Sequence, residues 1–120
     1  MRILIALPVV VLAASITATS SAPATKVLRG TVGPSFTITV KNAAGKVVKT
    51  TKAGTYRLIV KDKSTFHDFH LIGPGINRVI TSVPFTGTKT VIVKLKAGRR
   101  YIYRCDPHRL EMKGSFKVTA

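Results

Sequence analysis

Beyond residue 30 the chain is a series of short runs in which every second residue is apolar, each closed by turn residues. Phe36, Ile38 and Val40 alternate with Thr37, Thr39 and Lys41, up to the hairpin-like turn of Asn42, Ala43, Ala44 and Gly45. Tyr56, Leu58 and Val60 alternate with Arg57, Ile59 and Lys61, and Val91, Val93 and Leu95 with Ile92, Lys94 and Lys96. Ala97-Gly98 turns the chain into Tyr101, Tyr103 and Cys105, and Phe116 and Val118 mark a last strand. Successive side chains of a strand point to opposite faces, so each run has one face for a core and one for water. No amphipathic helical pattern competes with this after the N-terminal segment, so the expected class is all-β, a sandwich or a barrel. The segment Phe66 to Ile72 reads as a strand broken by Gly73-Pro74-Gly75, and residues 74 to 90 as a longer connection.

The first residues read differently. Met1-Arg2 is a short basic start, Ile3 to Ala14 is apolar apart from Pro8, and small residues run from Ser15 to Ala24. This has the form of a secretory signal, residues 1–24, with Ala22-Pro23-Ala24 as the cleavage site and Ala18-Thr19-Ser20 as a second candidate. It is too short and wrongly flanked for a stable membrane span. Residues 25–120 then form one domain with no second long apolar run, expected to be a monomer outside the cytoplasm: secreted, periplasmic or at the cell surface.

Twenty Lys and Arg face four acids, Asp62, Asp68, Asp106 and Glu111, for a formal charge of +16. Loss of residues 1–24 removes only Arg2. Such a field attracts an acidic partner protein or an anionic surface. No nucleic-acid-binding motif is present, so nucleic acid is not an expected partner.

Cys105 is the only cysteine, which excludes an internal disulfide. His108 follows at the third position and Met112 at the seventh, while His67 and His70 lie upstream in Phe66-His67-Asp68-Phe69-His70. A thiolate, two imidazoles and a weak thioether suit one copper ion, because a trigonal nitrogen–sulfur plane with a long axial bond serves both Cu(I) and Cu(II). Alternation puts His67 with Phe69 and Leu71, and His70 with Phe66 and Asp68. The face without Asp68 is the better inward face, which makes His67 the preferred upstream ligand. The candidate set is therefore His67, Cys105, His108 and Met112. Zinc held by cysteine, two histidines and Asp106 or Glu111 is the competing metal reading, and the methionine argues against it. A cysteine nucleophile activated by His108 lacks an orienting group and an oxyanion hole, so no enzyme is expected.

With these residues in view, the chain resembles the cupredoxins, the plastocyanin- and azurin-like blue copper proteins, and more narrowly their small secreted bacterial forms. The resemblance covers residues 30 to 119. It is carried by Ala53 to Tyr56, His67 to Gly75, Lys96 to Gly98, and Tyr103 to His108 continuing to Phe116. It implies an all-β fold, an eight-stranded Greek-key β-sandwich, with one type 1 copper on His67, Cys105, His108 and Met112, and single-electron transfer. A copper carrier delivering metal to an exported partner, or a binding module of the same fold without metal, are the alternatives. Three features depart from the family. Asp68 stands where an asparagine usually follows the first histidine; it can accept a hydrogen bond from the cysteine loop but, ionised, cannot donate one. Three residues separate His108 from Met112, where close relatives have two or four. The usual apolar docking patch is reduced to Leu110 between Arg109 and Glu111.

Overall fold

The computed structural model describes residues 8–16 and 26–120. Most of the expected signal and both cleavage candidates lie outside the described residues. Residues 8–16 form neither helix nor strand, and among the described residues no helix is long and apolar enough to cross a membrane.

The described residues form nine strands in two mixed sheets. They are β1 (Lys26–Val32), β2 (Ile38–Asn42), β3 (Thr50–Lys52), β4 (Gly54–Asp62), β5 (Phe69–Gly73), β6 (Ile76–Thr81), β7 (Gly87–Leu95), β8 (Arg100–Arg104) and β9 (Lys113–Thr119). One sheet has the order β2-β1-β4-β7 and the other β3-β9-β8-β5-β6. Neighbours pair antiparallel except β1 with β4 and β3 with β9, which run parallel. The alternating residues fill the space between the sheets: Leu28, Val40, Leu58, Val60 and Val93 from one side, Phe69, Leu71, Tyr101, Tyr103 and Phe116 from the other. Tyr101 stacks on Phe116 at 5.6 Å and Phe69 on Tyr103 at 6.0 Å, giving the core an aromatic layer along the second sheet.

The all-β sandwich is as expected, and four details differ. First, nine strands replace the eight that the resemblance implies, the shortest of them the three-residue edge strand β3. Second, residues 74 to 90 are not one connection. Gly75, at φ +76°, lets Gly73 and Ile76 pair directly, so Gly73-Pro74-Gly75 is a hairpin tip rather than a terminator. Third, β1 escapes a reading by apolar alternation because its inward row is Leu28, Gly30, Val32. Gly30 is small because the Phe69 ring lies against it, 2.9 Å from where a Cβ would stand. Fourth, regular pairing starts at Ile38 and Phe69, so Phe36, Phe66 and His67 lie in loops at one end of the sandwich.

Candidate metal centre

That end gathers the loop before β2, the approach to β5 and the β8–β9 connection. The connection runs from Cys105 through a 3-10 turn, Asp106–His108, with Pro107 near its start. It is clamped at both ends: Cys105 N–H donates to the Met112 carbonyl at 3.0 Å, and Met112 N–H to the His108 carbonyl at 2.8 Å. His108 N–H also donates to the Cys105 carbonyl at 3.1 Å. Eight residues thus form a closed loop whose backbone polar groups largely satisfy one another, which fixes Cys105 and His108 before any ion is considered.

His67 is 3 % exposed and Cys105 fully buried, while His108 is half-buried. The imidazole Nδ1 atoms of His67 and His108 lie 3.1 Å apart, and Cys105 Sγ lies 3.7 Å from the first and 3.6 Å from the second. His67, Cys105 and His108 are the group among the described residues whose donor atoms converge in this way, all within 4.8 Å of one another. A triangle with these sides has its centre about 2 Å from each corner, the length of a first-row metal–nitrogen bond. The three atoms therefore surround a point where a small soft cation fits without moving them. Met112 is fully buried at the far end of the same loop.

The electrostatics around the triangle are uneven. Burial pushes the Cys105 thiol up, and the nearby Asp68 carboxylate adds to this, against the backbone N–H groups of Asp68 and His108. The Asp68 N–H lies 3.5 Å from Sγ. Its carboxylate accepts from the Asp106 N–H at 2.6 Å, tying the approach to β5 to the cysteine loop. Burial raises the Asp68 carboxyl and the neighbouring charge of Asp106 raises it further, although the Asp106 N–H opposes both. The acceptor role open to Asp68 from the sequence is the one it plays here.

His70 stands apart from this triangle. Its Nδ1 faces both oxygens of Asp106 at 2.9 Å, and its Nε2 faces Asn77 Oδ1. Arg104 Nε donates to the same carboxylate at 2.9 Å. Burial opposes the charge of Asp106, but the bonds from His70 and Arg104 outweigh it and hold its carboxyl below the usual range. His70 thus braces the outside of the cysteine loop.

The alternation that separated His67 from His70 missed Phe36. Its ring packs edge-on against His67 at 5.5 Å and against His108 at 4.9 Å, while 62 % of the residue remains exposed. The loop that carries it is closed by Gly33 N–H donating to the Thr37 carbonyl at 2.9 Å. Gly33 has φ +71°, and a Cβ there would lie 3.2 Å from His67 Cδ2. The sequence signal was present as Gly33-Pro34-Ser35, a turn directly ahead of an aromatic, but regular alternation through Phe36 concealed it. The apolar surface beside His108 is consequently larger than Leu110 alone.

No family model matches the chain, and no curated protein matches it. Solved structures do. Auracyanin A, a "blue" copper protein from the green thermophilic photosynthetic bacterium Chloroflexus aurantiacus, is 18 % identical with a TM-score of 0.56, over 80 % of this chain and 100 % of that one. Rusticyanin from Thiobacillus ferrooxidans is 21 % identical with a TM-score of 0.51, over 78 % of this chain and 76 % of that one. A heme-copper terminal oxidase dimer contains a chain 15 % identical with a TM-score of 0.52, over 86 % of this chain and 77 % of that one. These likenesses establish the fold, which is that of the cupredoxins.

Proposed function

We propose that this protein is an extracytoplasmic blue copper protein that carries single electrons. One copper is held by Nδ1 of His67, Sγ of Cys105 and Nδ1 of His108, with Met112 as a weak fourth ligand. The observation that carries the reading is the triangle of two imidazole nitrogens and one sulfur, 3.1, 3.6 and 3.7 Å on its sides, built into a cupredoxin fold. A bound copper supplies a one-electron couple that needs little rearrangement in a trigonal site. The residues do the rest. The clamped loop and the Asp68 bond hold the donors in place, Phe36 keeps water from the two imidazoles, and half-buried His108 brings the site closest to the surface. The expected leader, residues 1–24, directs the chain across a membrane, and a partner docks at the His108 end.

A visible and EPR titration of the purified protein with Cu(II) tests this. An intense thiolate-to-copper band saturating at one copper per chain is expected; its absence with Cys105 reduced would refute the site. His67→Ala should weaken copper binding by more than about 100-fold, since it removes a ligand. His70→Ala should leave the band in place, and the opposite pattern would reassign the upstream ligand. Phe36→Ala should leave the melting temperature nearly unchanged, because the ring is mostly exposed. It should speed copper loss to a chelator several-fold, measured by stopped-flow bleaching of the band. Unaltered loss would remove Phe36 from the site.

A second reading, copper carriage without redox turnover, draws on the carboxylate of Asp68 beside the cysteine loop, which favours Cu(II) over Cu(I). Voltammetry separates the two. A reversible one-electron wave supports electron transfer, and its absence with ready release of copper to a competing site supports carriage.

A further inference from the structure

The charge of this protein is sorted in space. Asp62 is 2 % exposed, and Asp68, Asp106 and Glu111 all belong to the loops of the metal end. The ion pairs among the described residues involve only Asp106. The outer face of the sheet β2-β1-β4-β7 therefore has no acid on it. Strand register places Arg29 opposite both Lys41 and Ile59, Arg57 opposite Ile92, Lys61 opposite Thr88 and Lys94 opposite Thr55. Parity puts all of these side chains on the outer face, and the five cations are all exposed.

Folding does not account for this arrangement. Arg29 and Lys41 sit directly across from each other, a like-charge pair that costs stability. No carboxylate relieves it. Nor does the face resemble the centre of a protein–protein interface, which is built on buried aromatic anchors. No aromatic residue lies on its outward rows; Val27, Ile59 and Ile92 border Arg57, and threonines lie between the other cations. The cations spread over four strands, a patch about 14 Å wide. The outer face of the second sheet also carries cations, Arg100 opposite Lys117 and Arg104 opposite Lys113, but there Asp106 engages Arg104 and His70.

We infer that the outer face of β2-β1-β4-β7 is a docking surface for a bilayer of anionic phosphate headgroups. The charge is complementary, and exposed Lys and Arg near such a surface are each attracted to it. In this pose the protein lies on its broad side. The loop of Cys105 and His108 stands at the end of the sandwich, off the membrane and open to a partner. This inference does not depend on copper and holds whether or not the metal reading does.

The test uses the full chain and sedimentation with vesicles of phosphatidylcholine alone or mixed with phosphatidylglycerol. Every variant keeps the apolar residues 9–12, so the ratio of anionic to neutral binding is the readout. R29E/R57E/K94E should lower that ratio by roughly 100-fold at low salt. R99E/R100E/K117E makes the same change of net charge away from this face and should lower it by less than about fivefold, long-range attraction being screened. Equal losses in the two variants, or no loss in the first, would overturn the assignment. Tighter binding to soluble duplex DNA or polyphosphate than to anionic vesicles would overturn the choice of a bilayer. R29E places an acid opposite Lys41 and so favours the fold. Should the triple variant still fail a circular dichroism melt, R29Q/R57Q/K94Q replaces it, with an expected loss of at least tenfold.

Discussion

Cys105→Ser should abolish the intense visible band and leave a folded protein. The band requires a thiolate on copper, and this chain has one thiol to give. Copper affinity should fall by more than about 100-fold, beyond what loss of a supporting hydrogen bond causes. The fold should survive because the change is nearly isosteric. Serine would sit in a fully buried pocket where the Asp68 N–H and two imidazole nitrogens are available to its hydroxyl. The expected cost is about 1 kcal/mol. Absorption, EPR and a thermal melt on one sample check all three statements. An unchanged band in this variant would end the site assignment, and an unfolded variant would mean that Cys105 packs the core more than it serves an ion.

A large loss of stability from a small change should come from Gly73→Ala. A Cβ at Gly73 would clash with the Tyr101 ring, well inside contact distance. That ring cannot step aside. Tyr101 is fully buried, its O–H donates to the Pro74 carbonyl at 2.9 Å, its oxygen accepts from the Lys96 N–H at 2.9 Å, and it stacks on Phe116. Forcing it away loses both hydrogen bonds and the stack, about 3 kcal/mol together with the overpacking. For a domain of this size the melting temperature should drop by roughly 10–20 °C. A drop of only a few degrees would mean that the aromatic layer repacks freely.

How much of this could be read from the sequence depended on where the chain obeyed period two. Leu58, Val60, Val93, Leu95, Tyr101 and Tyr103 are core residues by simple alternation, and they are buried. The same rule put His67 inside and left His70 on the other face. His67 is indeed buried, although it precedes the strand and directly follows the turn at Thr65-Phe66. The rule failed for Asp68, which alternation turns outward but which is buried under the cysteine loop through its bond to the Asp106 N–H. Strand parity describes two faces of one sheet and says nothing of a loop folding over the end. Phe36 was hidden for the same reason, since its partners, His67 and His108, come from loops distant in sequence. Gly30 and Gly73 are illegible singly because each is small for the sake of an aromatic ring on another strand. The direction of pairing was equally out of reach: nothing in β1 or β3 announces that each runs parallel to its neighbour.

The placement of β9 has a consequence for the order of events in folding. It lies between β3 and β8, pairing Thr50 with Lys117 on one side and Tyr101 with Phe116 on the other. The strand that closes the cysteine loop is therefore an interior strand of its sheet, and its parallel partner is a distant segment of chain. Contacts of such long range form late, after the loop entropy of the intervening chain has been overcome. His67 and Cys105 are brought together by the pairing of β5 with β8, and the cysteine loop runs directly into β9. The meeting of the three donor atoms therefore reports pairing between segments distant in sequence, not a local turn.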